Sequence, residues 1–155
     1  MAAALELATE RPIGQPKTPF FSQSLSDNER GRLMEHRVAS VLLGLDVVKL
    51  VIVNPKLGEQ DQLGRDLTVH LENGLPMSMV WVQVKSSPKG TYEYLRHRGK
   101  KLRQIGDDRS VREWMTANRQ ILINGAKEDD MVMADFNAQL AAIQLTHRNM
   151  FNTAF

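Results

Sequence analysis

The chain has 155 residues, of which 42% are apolar and 25% are charged, a balance typical of one globular domain and unlike that of a disordered chain. Cysteine is absent, which excludes disulfide frameworks, cysteine-ligated metals and thiol nucleophiles. No apolar run in the sequence approaches the roughly 20 residues needed to span a bilayer. We therefore expect a soluble, cytoplasmic protein that does not bind membranes.

Charge is distributed unevenly along the sequence. Residues 85–119 hold 10 Lys and Arg against 4 Asp and Glu, whereas each flanking segment has a net charge of −2. Clustered positive charge suits a polyanionic partner, although a charge run is more often a solvated helix face. The asymmetry on its own is a weak indication of nucleic-acid binding.

The first 25 residues contain three prolines and show no sustained hydrophobic period, which predicts an extended N-terminal arm ahead of a domain over residues 26–155. Ser26 and Glu29 then form a capping-box pattern, in which each side chain satisfies a backbone amide at a helix start. Apolar residues at helical spacing follow this pattern. They predict a helix that ends near Gly44.

Three strands are predicted in the middle of the chain. Residues 47–53 are dense in β-branched side chains, which favours a buried strand. Residues 66–72 and 79–85 alternate apolar and polar side chains on either side of a turn at 73–76, and they predict a β-hairpin. If the turn is centred in that segment, the numbers of paired residues sum to about 149 or 150.

The C-terminal half predicts further helices and strands. A basic helix is expected from residue 88 to about 118, followed by a short strand at 120–124 and an acidic turn at 127–130. Another strand is expected at 131–136, and a last helix from about Asn137. Strands interleaved with helices in this order predict a single α/β domain with a mixed β-sheet flanked by helices.

The hairpin register brings one carboxylate, one amide and one amine to the same end of two adjacent strands. Asp66 is expected opposite Gln83 or Val84, with Lys85 one step away. Gln83 and Lys85 are two residues apart and share one face of the sheet. On the preceding helix, Glu35 lies at the edge of the apolar stripe, where a charge rarely faces a core without a reason.

A helix Glu, a strand-start Asp and a Gln-x-Lys motif, in this order, resemble the PD-(D/E)XK nuclease superfamily. Within this superfamily the motif is similar to that of the Gln-x-Lys branch, which includes Mrr-type restriction endonucleases and the endonuclease subunit of some transposition systems. The resemblance covers residues 29–87, through the segments 32–36, 64–69 and 82–87. It implies a restriction-endonuclease-like core and a metal-dependent endonuclease that hydrolyses DNA phosphodiester bonds.

By this resemblance, Asp66 would be the metal-binding carboxylate, Gln83 would replace the usual second acid, and Lys85 would act near the attacking water. Glu35 would be the helix-borne acid. Because magnesium prefers oxygen ligands, Mg²⁺ or Mn²⁺ would be held by Asp66, Gln83, the Val84 carbonyl and Glu35. The sequence departs from the family pattern in two places, since no proline precedes Asp66 and Gln83 carries no negative charge.

Simpler interpretations of the same residues stay open. An Asp at the end of a strand beside a Lys on the next strand is commonly an ordinary cross-strand ion pair. Glu35 can likewise pair with Arg32 or Arg37 on its own helix. Asp61, in the loop before the strand, competes with Asp66 as a metal ligand.

The basic segment supplies the predicted DNA contacts. Six cations are interleaved there with Tyr92, Tyr94 and His97, a combination suited to phosphate contacts with some base stacking. The six are Lys89, Arg96, Arg98, Lys100, Lys101 and Arg103. DNA is the expected partner, and the resemblance leaves room for a homodimer or a larger nuclease complex.

Two functions of other classes remain alternatives to the endonuclease. The first is a catalytically silent nuclease-like fold that binds nucleic acid or protein as a subunit of a defence or mobile-element complex. The uncharged Gln83 favours this alternative. The second is a protein-interaction module whose N-terminal arm wraps around a partner.

Overall fold

The structure is a computed structural model, and the residues it describes are 26–56, 58, 64–75 and 77–153. The chain divides into two compact units, residues 1–33 and 34–155. Of the first unit, residues 26–33 are described, and they form the start of a helix. The predicted arm at 1–25 and the candidate ligand Asp61 lie outside the described residues.

The described residues form four helices and four strands. In chain order these are α1 (Asp27–Leu42), β1 (Val48–Val53), β2 (Leu67–Leu71), β3 (Met79–Lys85), α2 (Pro88–Gln104), α3 (Val111–Ala117), β4 (Gln120–Asn124) and α4 (Asp129–Thr153). The strands make one sheet in the order β1-β2-β3-β4. β2 is antiparallel to both β1 and β3, and β4 is parallel to β3. The predicted α/β class with a mixed sheet is confirmed.

Helix α1 begins as its sequence predicts. The Ser26 N–H donates to the Glu29 carboxylate and the Glu29 N–H donates to the Ser26 hydroxyl, both at 3.2 Å, which completes the capping box. The helix ends at Leu42, just before Gly44. Strand β1 follows and begins at Val48, within the strand predicted over residues 47–53.

The apolar core lies on one face of the sheet. Alternate residues of β2, β3 and β4 point to this face, because side chains of a strand alternate between its two sides. Side chains of α1 and α4 are buried with them in one cluster, which includes Val38, Leu42, Leu67, Val69, Val80, Val82, Ile121, Ile123, Val132, Phe136, Leu140 and Ile143. Thr68, Trp81, Gln83 and Lys85 consequently share the opposite face, and α2 contacts β3 and β4.

The register between β2 and β3 determines where the candidate site lies. Leu67 pairs with Val82, and all pairs of this hairpin have residue numbers that sum to 149, one of the two predicted registers. The Asp66 N–H donates to the Val82 carbonyl at 2.9 Å, which continues the ladder one residue beyond β2. Asp66 therefore lies next to Gln83, as the sequence predicts.

The single basic helix predicted to reach residue 118 is wrong, because two helices occupy this segment. α2 ends at Gln104, and α3 begins after Ser110. Ser110 and Glu113 form a second capping box, in which each side chain accepts the backbone N–H of the other. This local signal starts a new helix within the basic segment. Strand β4 agrees with its prediction at both ends.

The strand predicted at residues 131–136 is also wrong, because these residues belong to α4. The helix begins at Asp129, not near Asn137, and acidic residues in its first turn favour a helix N-terminus. Val132 and Phe136 are both fully buried, four residues apart on one helix face. Although α4 has 25 residues, neither it nor any other helix of the described ranges is apolar enough to cross a membrane.

Candidate functional site

The backbone around Asp66 is held from both neighbouring strands. Its carbonyl accepts the Asn54 N–H and its own N–H donates to the Val82 carbonyl, both at 2.9 Å. The Asn54 side-chain amide donates to the Arg65 carbonyl at 2.9 Å and accepts the Thr68 hydroxyl at 3.0 Å. Asn54, which is buried, therefore holds the peptide groups on both sides of Asp66.

The two carboxylate oxygens of Asp66 have different partners. Oδ2 accepts the Val84 backbone N–H at 2.8 Å and the Gln83 side-chain amide at 3.0 Å. Oδ1 lies 3.8 Å from the Lys56 Nζ. The carboxylate is thus oriented through one oxygen by β3, while its other oxygen faces an ammonium group from the loop after β1.

The helix acid Glu35 reaches the same place. Its side chain is buried, and its Oε2 forms an ion pair with the Lys56 Nζ. One ammonium group therefore faces both carboxylates. Arg37, a partner considered for Glu35 on the same helix, donates to the Gly125 carbonyl and pairs with Asp129 at 2.6 Å.

The surroundings of Asp66 raise the pKa of its carboxyl from the ordinary value of 3.8 to about 6. Burial is the main cause because it penalises the charged form, and the charge of Glu35 acts in the same direction. The hydrogen bond from Val84 and the charges of Lys56 and Lys85 lower the pKa and partly offset the rise. Buried acids whose pKa is perturbed in this way are typical of functional sites.

Gln83 is in the predicted place, with its amide nitrogen turned toward Asp66. Its Oε1 is buried and accepts no hydrogen bond from any residue that the structure describes. Leaving such an acceptor unsatisfied costs about 1–3 kcal/mol. The oxygen lies against the turn at Gly64, where an added Cβ would be 3.1 Å from it. A buried orphan acceptor beside a carboxylate is therefore a feature of this site.

Lys85 ends β3, and its Nζ lies 5.6 Å from the ring centroid of Tyr94 on α2, within the range of a cation–π contact. The Tyr94 hydroxyl accepts the Gln120 amide at 2.9 Å, and the same amide donates to the Gly64 carbonyl at 3.1 Å. Burial raises the pKa of Tyr94, which favours its neutral form. Tyr94 is consequently held in place beside Lys85 by contacts with the sheet.

A cleft of about 720 Å³ begins at Lys85 and continues along α2. Its cations on α2 are Lys89, Arg96 and Lys100, which are seven and four residues apart and therefore share one face of the helix. Besides Lys85, the basic and aromatic side chains of its lining are Lys89, Tyr92, Tyr94, Arg96, His97 and Lys100. Tyr92 is 65% exposed, which leaves its ring open to contact with a ligand. Lys85 and Tyr94 connect the cleft with the carboxylates.

Three of the six predicted DNA contacts lie outside this cleft. Lys101 and Arg103 are exposed elsewhere on α2. Arg98 is half-buried, with its guanidinium 4.5 Å from the ring centroid of Trp114, and its Nε is buried without a partner among the described residues. Arg98 therefore packs α2 against α3, because it lies on the helix face turned toward the protein.

Sequence reasoning missed Lys56 and Asn54. Both follow β1 in the segment Asn-Pro-Lys, which reads from sequence as a simple strand terminator. Their place beside Asp66 depends on the pairing of Val53 with Leu67 between β1 and β2. The sequence therefore shows that β1 ends here, whereas the contacts of Asn54 and Lys56 with the site depend on how β1 pairs with β2.

Within the described part of the chain, no group of three or more Asp, Glu or His side chains is arranged to hold a metal ion. The described acids at the site are Glu35 and Asp66, and the Gln83 side-chain amide and the Val84 backbone lie beside Asp66. Carboxylate, amide and carbonyl oxygens are the donors that magnesium and manganese prefer. The donor chemistry therefore fits a hard divalent cation.

Comparison of this chain with protein-family models, with curated proteins and with solved structures found no match. A fold class by itself does not determine an activity, because the same architecture supports many functions. The function is therefore argued below from the residues of the site.

Proposed function

We propose that this chain is a metal-dependent endonuclease of the PD-(D/E)XK type, which hydrolyses phosphodiester bonds in DNA. The observation that carries the proposal is that two buried carboxylates, Glu35 and Asp66, face one ammonium group, and that the charge of Lys85, which lines a basic cleft, acts on Asp66. The order of helices and strands and the Gln-x-Lys motif agree with this family. An acid pair beside a cationic groove suits chemistry on a polyanion.

Mg²⁺ or Mn²⁺ is the proposed cofactor. The Glu35 Oε2 and the Asp66 Oδ1 already face one cation, the Lys56 ammonium group, which supports a cation position between them. The orphaned oxygen of Gln83 would gain a partner there if its amide turned over, since the two ends of an amide have similar shapes. When bound, the ion would act as a Lewis acid toward a phosphoryl oxygen.

The residues around Asp66 would keep its carboxylate in one orientation. The Val84 N–H holds Oδ2, and Asn54 holds the backbone on both sides, so Oδ1 stays directed toward the cation position. Lys85 would place a fixed positive charge near the scissile phosphate. Such a charge stabilises the negative charge that develops in the transition state.

The cleft along α2 would hold the DNA backbone. Lys89, Arg96 and Lys100 line it together with Lys85, and contacts of this kind bind phosphates without regard to base sequence. The exposed ring of Tyr92 offers a surface on which an unpaired base can stack. Binding and chemistry would thus involve different elements that meet at Lys85.

A second function is favoured by one specific observation. Lys56 pairs with both carboxylates and Gln83 donates to Asp66, so these charges have partners without a metal ion. A protein of this kind would bind nucleic acid in its basic cleft and not cut it. It would then serve as a subunit of a defence or mobile-element complex.

The test is an assay of nicking and linearisation of supercoiled plasmid, with Mg²⁺, Mn²⁺ or EDTA. We expect cutting that requires the metal and is lost in Asp66→Asn. Asp108→Asn is the matched control, because Asp108 is an exposed acid on the loop after α2. If the folded wild type binds labelled duplex in EDTA but cuts under none of these conditions, the endonuclease proposal is wrong and the non-cutting binding subunit is supported. Absence of both activities would reject both functions.

A further inference from the structure

The ammonium group of Lys56 occupies the position between the two carboxylates. Its Nζ is paired with the Glu35 Oε2 and lies 3.8 Å from the Asp66 Oδ1. The other oxygen of Asp66 is held by donors of β3. A divalent ion bound by this acid pair would therefore need the same two oxygens that face Lys56.

Burial differs strongly between the members of this cluster. The side chains of Glu35 and Asp66 are 4% and 6% exposed, whereas that of Lys56 is 44% exposed. The two carboxylates are thus fixed in the interior, while the lysine reaches them from the surface on a flexible stem. A long, partly exposed lysine can turn its ammonium group into water at little cost in packing.

Electrostatics makes joint occupancy unfavourable. Two cations that share one pair of carboxylate oxygens lie within a few ångströms of each other, where like charges repel strongly in a partly buried site. Without any cation, Glu35 and Asp66 repel each other in the same way. The site is therefore best satisfied by one cation at a time.

We infer that Lys56 is a built-in counter-ion, which holds the cation position between Glu35 and Asp66 until a divalent metal displaces it. Metal binding is then an exchange of one cation for another, and the free protein binds its metal more weakly than the acid pair alone would. This inference rests on the proposed function, because the incoming cation is the proposed cofactor. It adds Lys56 as the residue that sets the metal affinity.

The test is calorimetric titration of the whole chain with Mn²⁺, without DNA, at a pH of about 7.5. We expect Lys56→Gln and Lys56→Met to bind Mn²⁺ at least about tenfold more tightly than the wild type, because the ion no longer competes with an ammonium group. Lys56→Gln keeps a hydrogen-bond donor, so it serves where the methionine variant does not fold. Thermal unfolding gives a second measurement, and Mn²⁺ should raise the melting temperature more in these variants.

Two control variants isolate the local charge. Lys56→Arg keeps a cation at the site and should bind Mn²⁺ no more tightly than the wild type. Lys49→Met removes the same net charge from an exposed residue of β1 and should leave the affinity unchanged. A general effect of net charge would instead appear equally in Lys49→Met and Lys56→Met.

The outcomes separate this inference from the proposed function. Equal affinity in the wild type and in both Lys56 variants would overturn the inference and leave the metal site intact. Failure of all of these proteins to bind Mn²⁺ would overturn the metal site and the inference with it. Binding by the uncharged variants and not by the wild type would support the inference and favour the non-cutting subunit.

Discussion

The carboxylate site and the basic cleft meet at Lys85, yet they are built in opposite ways. Glu35 and Asp66 are both buried. Asp66 lies just before β2 and is held by hydrogen bonds from β3 and from Asn54, whereas Glu35 comes from α1 and is held by an ion pair with Lys56. The cleft is formed largely by one exposed helix face, and its cations extend from α2 toward solvent. The first region depends on tertiary pairing and the second on helical spacing.

This difference indicates how each region responds to mutation. Changes among buried, hydrogen-bonded charges alter stability and the energy of a transition state, because their partners cannot rearrange. Changes among exposed cations alter affinity and its dependence on salt, with little effect on the fold. Variants that affect only one of the two regions therefore test whether binding and chemistry are separable.

The largest effect is expected at the residue shared by both regions. Lys85→Ala should slow plasmid cutting by about 10²- to 10³-fold, or about 2.7–4 kcal/mol, because a charge near the developing phosphate charge is lost. In the same variant the slope of log DNA affinity against log salt should fall by no more than about 0.9, which corresponds to one phosphate contact. Single-turnover cutting and fluorescence anisotropy in EDTA measure the two effects.

Lys49→Ala is the matched control, since Lys49 is an exposed lysine of β1. It should cut at the wild-type rate. A folded Lys85→Ala protein with full cutting activity would remove Lys85 from the chemistry and leave it as one of the DNA contacts in the cleft.

The next effect concerns stability without metal. The Asp66 carboxyl has a pKa of about 6 in the folded chain against an ordinary 3.8, so between these values the folded state binds more protons than the unfolded state. Asp66 should therefore lower the free energy of unfolding progressively as pH rises from about 4 to about 6, by up to about 3 kcal/mol. Above that range its cost is constant.

Asp66→Asn removes this titration. Urea unfolding in EDTA, at several pH values from about 4 to about 7.5, measures the free energy of unfolding of both proteins. The free energy of unfolding of the variant should rise relative to that of the wild type as pH increases from about 4 to about 6. Asp108→Asn changes an exposed acid and should follow the wild-type profile. Parallel profiles for Asp66→Asn and the wild type would mean that Asp66 titrates as an ordinary exposed acid.

The hairpin shows what the sequence was able to predict about this site. Alternation of apolar and polar residues over two strands, joined by a short turn, fixes both the pairing and the faces, so Asp66, Gln83 and Lys85 were placed together correctly. Both ends of β4 were predicted for the same reason, since a short β-branched segment lies between clear stops. Both predictions depend on residue patterns within a strand and the turn next to it, which can be read directly from the sequence.

The misses have physical causes as well. Residues 131–136 contain apolar side chains at positions that suit a strand and a helix equally, and burial of Val132 and Phe136 against the core decides for the helix. Lys56 was missed because its contacts with Glu35 and Asp66 bring together three separate elements. Arg98 was grouped with the exposed cations, although Trp114 of the next helix covers it.

A smaller effect is expected in the cleft. Arg96→Ala with Lys100→Ala should weaken duplex binding for all sequences and lower the slope of log affinity against log salt by about 1.8, or about 0.9 for each phosphate contact. Lys101→Ala with Arg103→Ala removes the same charge from the same helix outside the cleft. This control pair should change the slope little.

Fluorescence anisotropy of labelled duplexes over a salt series, with EDTA present, measures both pairs. Cutting at saturating DNA should remain near the wild-type rate in each, because the carboxylates are unchanged. Equal slopes for the two double variants would mean that α2 attracts DNA through its overall charge, without a defined cleft.

The smallest effect compares two glycines of the β2 region that share a backbone conformation. Gly64 has φ +75 and Gly74 has φ +92, so alanine at either position is strained by about 1–2 kcal/mol. A Cβ at Gly74 would meet no described atom within 4 Å, whereas one at Gly64 would lie 3.1 Å from the Gln83 Oε1. Backbone strain is therefore common to Gly64→Ala and Gly74→Ala, whereas only Gly64→Ala crowds the Gln83 side chain.

Gly64→Ala and Gly74→Ala should therefore lose similar stability in urea unfolding, with a slightly larger loss for Gly64→Ala. Because Gln83 donates to Asp66, displacement of its amide should also weaken Mn²⁺ binding a few-fold in Gly64→Ala alone. Calorimetric titration of both variants measures this difference. Equal Mn²⁺ affinities would show that the position of the Gln83 amide is irrelevant to the cation, and Gln83 would then serve only to orient Asp66 in the sheet.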